Sequence, residues 1–317
     1  MTICAGRRAG MWINMNQDRL IHGMLVNRAL RFAAIDGTEL VRKAQKTHAL
    51  SRVATAALGR QLLMTSLTAS LCKNDTDTVT TVLAGNGPSG NLVCVGRTGG
   101  LVKGYATNPD AELPLRSDGK LDVSGYVGTS GKLTVIRDLG LKEPYVGMCN
   151  LISGEIAEDF AQYFTASEQQ PSIVYLGVHE NAADGFVTGA GGLLIQTMPN
   201  CPDEAIERVM KIADRIPAIG TRIAEGEELK AILLDLFSGL DAEFTNELTP
   251  AFSCDCSRER LERALISIGK KELSDLIEQD GKAELTCQFC GKVYQFDRDA
   301  LEALLIEATD DGGTHEE

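Results

Sequence analysis

Residues 254–290 read CDCSRERLERALISIGKKELSDLIEQDGKAELTCQFC: a Cys254-Asp255-Cys256 pair, thirty intervening residues, then a Cys287-Gln288-Phe289-Cys290 pair. Two close cysteine pairs separated by a small folded segment are what a tetrahedral zinc site needs, because each pair supplies two thiolates from one turn and the fold brings the pairs together. Gly291 follows the second pair, where such a turn commonly bends. Cys254, Cys256, Cys287 and Cys290 are therefore predicted to hold one zinc ion per chain in the reduced state. A module of about 60 residues buries too little surface to be comfortably stable alone, whereas structural zinc contributes an apparent ~10 kcal/mol. Losing the metal is expected to unfold it.

Zinc-bound thiolates remain nucleophilic enough to meet oxidants, so the same four residues can act as a switch. Oxidation would most easily form the local disulfides Cys254–Cys256 and Cys287–Cys290, which close very short loops. Chain entropy credits such loops with about 1.6 kcal/mol, against about 3.8 kcal/mol for a cross-link spanning the two pairs. Local disulfides would not replace what the metal held together. The other five cysteines (Cys4, Cys72, Cys94, Cys149, Cys201) lie singly in unrelated segments and read as small buried hydrophobes or idle thiols.

Upstream, the chain divides by pattern and by charge. Of the net charge of -13, residues 1–199 account for almost nothing, with 18 Lys+Arg against 17 Asp+Glu; residues 200–253 hold 5 against 11 and residues 254–317 hold 8 against 16. An acidic last third repels phosphate backbones, which argues against a nucleic-acid reader. No apolar run is long enough for a membrane span or a signal peptide, so no membrane partner and a cytoplasmic location are expected.

Residues 38–72 carry apolar side chains at helical spacing and predict a helix pair after Gly37, its second half buried. From Thr78 short alternating runs separated by turn clusters predict an antiparallel sheet, with a hairpin turn at Gly128–Lys132. A helix over 155–170, closed by Pro171, precedes strands in SIVYLGVH and GGLLIQTMP. Residues 202–237 read as helical, with stripes of Ile206, Val209, Ile212, Ile216 and of Leu229, Ile232, Leu233, Leu236. The expected class is α+β: a leader at 1–17, a large mixed domain with an antiparallel sheet at 18–199, a helical connector at 200–253, a small zinc-binding domain at 254–307, and a disordered tail at 308–317. The connector stripes are candidate client-binding residues, because breaks at Pro217, Gly220 and Gly226 and six surplus negative charges leave the segment marginally stable.

CDCSRERLERAL followed by LTCQFCGKVYQF resembles the redox-switch domain of the 33 kDa heat-shock protein family, also called the 33 kDa chaperonin family. GNGPSGNLVCVG, SGEIAEDFAQYFTASEQQPSIVYLGV and AGGLLIQTMP resemble that family's large domain, so the likeness runs from about Asp18 to Leu304. The resemblance implies an ATP-independent holdase for unfolding proteins, inactive when reduced and zinc-bound and active when oxidised and zinc-free. It implies zinc ligation by all four cysteines, disulfides between near neighbours on oxidation, and a homodimer on activation. It implies no enzyme activity.

Two other functions compete on the same residues. A thiol oxidoreductase would use Cys287-Gln288-Phe289-Cys290, but that pair sits in a hairpin-like context and has a second pair beside it. A zinc-ribbon regulator of nucleic acid would need a basic, aromatic surface, which 8 basic residues in an acidic module do not supply. A nucleotide-driven machine is excluded at Gly128-Thr129-Ser130-Gly131-Lys132, where Tyr126 and Leu133 stand in place of the required Gly and Ser/Thr. His22, His48, His179 and His315 are scattered, with no nucleophile motif nearby.

Overall fold

The computed structural model describes residues 17–310. Of the features read above, most of the leader, Cys4, His315 and most of the tail lie outside these residues. The chain starts with a hairpin, Arg19–Leu25 (β1) and Leu30–Asp36 (β2), and enters the helices Thr38–His48 (α1) and Arg52–Ala69 (α2). Thr78–Gly85 (β3), Asn91–Arg97 (β4), Leu101–Ala106 (β5), the short helix Val123–Val127 (α3), Gly131–Asp138 (β6) and Tyr145–Asn150 (β7) follow. Ala157–Ala166 (α4), Ser172–Glu180 (β8) and Val187–Thr197 (β9) complete the first part of the chain.

Three further helices, Asp203–Met210 (α5), Ala218–Ala224 (α6) and Leu229–Leu236 (α7), precede strands Glu243–Leu248 (β10) and Ala251–Phe252 (β11). The last module comprises Arg258–Ser267 (α8), Lys270–Gln279 (α9), the hairpin Ala283–Thr286 (β12) and Val293–Phe296 (β13), and Arg298–Asp310 (α10). The class is α+β. Helix α10 continues three residues into the stretch read as a tail.

Two sheets sandwich helix α2. One has the order β10-β1-β2-β9-β8 and is antiparallel throughout; the other runs β11-β5-β4-β3-β6-β7, antiparallel except where β11 lies parallel to β5. Rich in Ala and Leu, α2 buries all but two of its eighteen residues, so it serves both sheets at once. Its close approach to β4 depends on Gly96, where a Cβ would stand 2.7 Å from that of Ala69. Gln61, inside the helix and fully buried, donates to the carbonyls of Thr81 (3.0 Å) and Leu92 (3.1 Å). These bonds fix the helix in register with β3 and β4.

The far face of the five-stranded sheet is covered by α5–α7. Phe32, Leu193 and Ile195 of the sheet meet Val209, Ile219 and Leu233 of the helices in a second core. The polypeptide then returns to the sheets: β10 pairs with β1 from Leu20↔Leu248 to Met24↔Glu243, and β11 adds to β5. The segment read as a connector thus contributes strands to both sheets.

Two sequence expectations are corrected. Gly220, read as a break, lies buried inside helix α6. Gly128–Lys132 is not a hairpin turn but the link between helix α3 and strand β6, with Gly128 at φ +89 ending the helix. A helix-to-strand order is also the reverse of a phosphate-binding loop.

Candidate metal centre

The two cysteine pairs meet because of what precedes each. β11 pins Ala251–Phe252 to Leu101–Val102, and the Ser253 amide donates to the Val102 carbonyl at 2.8 Å, so Cys254 emerges from a fixed point on the six-stranded sheet. Ser257 caps α8 by accepting from the Arg260 amide, which turns the chain away directly after Cys256. The second pair forms the tip of the β12–β13 hairpin. The Gly291 amide donates to the Cys287 carbonyl (2.8 Å) and the Cys287 amide to the Lys292 carbonyl (2.9 Å), with Gly291 left-handed at φ +70.

All four Sγ atoms lie within 4.8 Å of one another; Cys254–Cys287 are 3.7 Å apart and Cys256–Cys290 3.4 Å. A tetrahedron with Zn–S bonds of about 2.3 Å has sulfur–sulfur edges of about 3.8 Å. The donor set therefore fits a zinc-sized cation, and four soft sulfurs select zinc over hard divalent ions. Burial pushes the Cys254 thiol up to about 12. Burial also opposes ionisation of Cys256, but the Tyr294 hydroxyl, donating to its sulfur at 3.2 Å, and the neighbouring thiols outweigh that and bring it down to about 7. Four thiolates this close need a divalent cation to offset their charge.

The residues between the cysteines attach the centre to the sheet. Asp255 bonds to Lys103 of β5, with Arg97 at 3.6 Å and Arg260 at 2.5 Å. Burial would raise the Asp255 carboxyl, but Lys103 and Arg97 outweigh it and hold it down at about 2. Phe289 places its ring edge-on to that of Tyr105, and Lys103 lies over the same ring at 4.8 Å. The reading from sequence named the four cysteines that the fold brings together but none of these anchors. Their signal was present in the choice of an acid and an aromatic inside the two cysteine pairs.

The four remaining described cysteines are free thiols away from this centre. Cys94 is fully buried, which raises its pKa, and burial pushes Cys149 up to about 11. Of the connector stripes, Val209, Ile212, Ile216, Leu229, Ile232, Leu233 and Leu236 are buried against the five-stranded sheet, and Ile206 is half-buried beside them.

Fold and site together define a class of protein in which an α+β domain carries a small four-cysteine module on its six-stranded sheet. Comparison with known proteins is consistent over nearly the whole length. The Hsp33 protein pattern matches residues 18–297, and the chain belongs to that family of chaperones. It is 40% identical over 291 residues to the 33 kDa chaperonin of Clostridioides difficile, covering 92% of this chain and 99% of that one. With the 33 kDa chaperonin of Alkaliphilus oremlandii it shares 43% identity over 294 residues, covering 92% and 97%. The crystal structure of the 33 kDa chaperonin from Thermotoga maritima superposes with a TM-score of 0.83 at 35% identity, covering 93% of this chain and 100% of that one. Among the described residues no helix is long and apolar enough to cross a membrane.

Proposed function

We propose that this chain is a redox-gated, ATP-independent holdase: zinc-bound and closed when reduced, open to unfolding proteins when oxidised. The observation that carries this reading is that the ligand loops and the docking loops are the same. Asp255 and Phe289, which contact Lys103 and Tyr105 of the sheet, lie inside the same two short loops that carry Cys254, Cys256, Cys287 and Cys290. When bound, zinc supplies the charge neutralisation that lets the four thiolates sit together.

On oxidation the four thiolates form Cys254–Cys256 and Cys287–Cys290. Forming each disulfide takes two electrons from a pair of thiolates; one hydrogen peroxide accepts them and, with two protons, leaves as two waters. No ligand set then remains for the cation, and the module formed by residues 254–307 loses its fold and its hold on β5. The connector at 200–253, resting on the core domain at 18–199, loosens with it and uncovers Ile206, Val209, Ile212, Ile216, Leu229, Ile232, Leu233 and Leu236 for client contact. We also propose a cytoplasmic site of action, self-association of the active form, and activity by binding without turnover.

Zinc content and suppression of client aggregation, measured together before and after peroxide without nucleotide, test this. Release of one zinc per chain with a gain in suppression is expected. Equal suppression in the reduced protein, or a requirement for ATP, would sink it.

A further inference from the structure

Tyr294 stands on β13 opposite Leu285 of β12, in the same hairpin as the second cysteine pair. It is 7% exposed and shares the module's own core with Leu265, Leu273 and Phe296. Its hydroxyl nevertheless reaches the first cysteine pair, 38 positions away in sequence. It donates to the Cys256 carbonyl at 3.1 Å and to the Cys256 sulfur at 3.2 Å. The carbonyl alone would satisfy a buried phenol. The hydroxyl stands instead between the backbone and the sulfur of one residue, so a single side chain fixes both where Cys256 sits and which way its sulfur points.

Two of the other sulfurs are served differently. The Cys256 amide faces the Cys254 sulfur and the Lys292 amide faces the Cys290 sulfur, each favouring the thiolate. Those donors are backbone groups that the loops supply by their shape, whereas the donor to Cys256 is a side chain that comes from the opposite pair's hairpin. The Lys292 ammonium lies over the Tyr294 ring at 4.7 Å. A cation on the π-face draws electron density from the ring and makes its hydroxyl a stronger donor.

We propose that Tyr294 is a positioning residue of the metal centre: its hydroxyl holds the Cys256 sulfur in place for the cation and damps that one sulfur's attack on oxidants. The proposal rests on the redox-gated reading and concerns a residue outside the four ligands. A hydrogen bond to a ligating group orients that group and changes its electron density. Here the bond crosses from one cysteine pair to the other, so it ties the two halves of the centre together without the cation and pre-organises them for it. In the oxidation step the Cys256 thiolate attacks one oxygen of hydrogen peroxide. An S–O bond forms, the O–O bond breaks, the hydroxide leaves as water once protonated, and the sulfur, two electrons poorer, becomes a sulfenic acid. Sulfur electron density shared with the Tyr294 proton is less available for that attack.

The test uses the full reduced chain at saturating zinc and the variant Tyr294→Phe, which keeps the buried ring and removes only the hydroxyl. Pulse alkylation with N-ethylmaleimide, read cysteine by cysteine by peptide mass spectrometry, gives the reactivity of Cys256 relative to Cys290. Competition with a chromogenic chelator gives the zinc affinity. In the variant the reactivity ratio is expected to rise several-fold and the affinity to fall roughly 10- to 100-fold, with far-UV circular dichroism unchanged. An unchanged ratio, an equal rise at all four cysteines such as looser packing alone would give, or undiminished affinity would overturn the assignment and leave the redox-gated reading standing. Failure of the wild type to bind zinc would overturn both. Should Tyr294→Phe not fold, 3-fluorotyrosine placed at position 294 decides. It keeps the ring and donates more strongly, so the ratio is expected to fall below that of the wild type; an equal or higher ratio would overturn the assignment.

Discussion

The ring of Phe289 meets that of Tyr105 edge-on, with centroids 5.2 Å apart and planes at 78°. One residue inside a cysteine pair is thereby a packing partner of strand β5. Aromatic pairs of this geometry contribute ~0.5–1.5 kcal/mol beyond the area they bury.

Phe289→Ala should therefore weaken docking without removing a ligand. The reduced protein should still bind one zinc, while peroxide-driven zinc release, followed with a chromogenic chelator, should accelerate roughly fivefold for about 1 kcal/mol lost. Normal zinc content with unaltered release kinetics would show that docking does not protect the thiolates.

Asp255 and Lys103 should be energetically coupled. The side chains are 23% and 13% exposed, so the pair is less screened than a surface salt bridge. A double-mutant cycle with Asp255→Ala and Lys103→Ala, read from denaturant unfolding of the reduced, zinc-loaded protein, should return about 1 kcal/mol of interaction. Strict additivity would reduce the contact to incidental proximity.

Cys287→Ser with Cys290→Ser should abolish zinc binding and remove hydrogen-exchange protection over residues 254–304 under reducing conditions. On oxidation of the wild type, protection should also fall over 202–237 while the 78–199 region stays protected. Full metal occupancy in the double variant would refute the ligand assignment. An unchanged connector in chaperone-active protein would place the client contact away from its stripes.

Asp18 gives a pH signature far from the metal centre. It is 6% exposed and accepts from the Glu39 (2.8 Å) and Leu40 (2.7 Å) amides at the start of α1. Burial raises its pKa from 3.8 to about 7, against the pull of those two bonds. A carboxyl raised in the folded state binds its proton more tightly there than in the unfolded chain. Below about pH 4 both states are protonated; stability falls as pH rises to about 7, by on the order of 4 kcal/mol, and this contribution is then constant. Asp18→Asn removes the titration, so its stability relative to wild type should improve between pH 4 and 7. A pH-independent difference would contradict the assignment.

The sequence makes some of this structure plain and hides the rest for physical reasons. Helix α2 and the two cysteine pairs are legible because periodicity and ligand spacing are local properties. The β1–β2 hairpin is not, because its turn places Val26, Asn27 and Arg28 at φ 49, 53 and 66, a left-handed run made without the glycine that usually signals it. Strands β10 and β11 are hidden for another reason. Residues of β10 such as Glu243, Thr245, Asn246 and Glu247 are exposed and polar, β11 is only Ala251 and Phe252, and it is the partners β1 and β5 that make them strands. Asp255 and Phe289 were visible as residue types, but their role depends on Lys103 and Tyr105, about 150 and 180 positions away, and no spacing rule reaches that far.

The two-residue strand β11 ends two residues before Cys254, and the Ser253 amide between them is itself bonded to Val102. A module released from the sheet therefore stays leashed within a few residues of the surface it left. Its return is an intramolecular event, governed by a local concentration in the millimolar range and indifferent to how dilute the protein is. In the redox cycle proposed above, the docking contacts, a single ring pair and one carboxylate, can then be individually weak and still re-form once reductant and metal are restored. For the redox gate proposed above, such a leash means that the same chain opens and shuts repeatedly without finding a partner in solution.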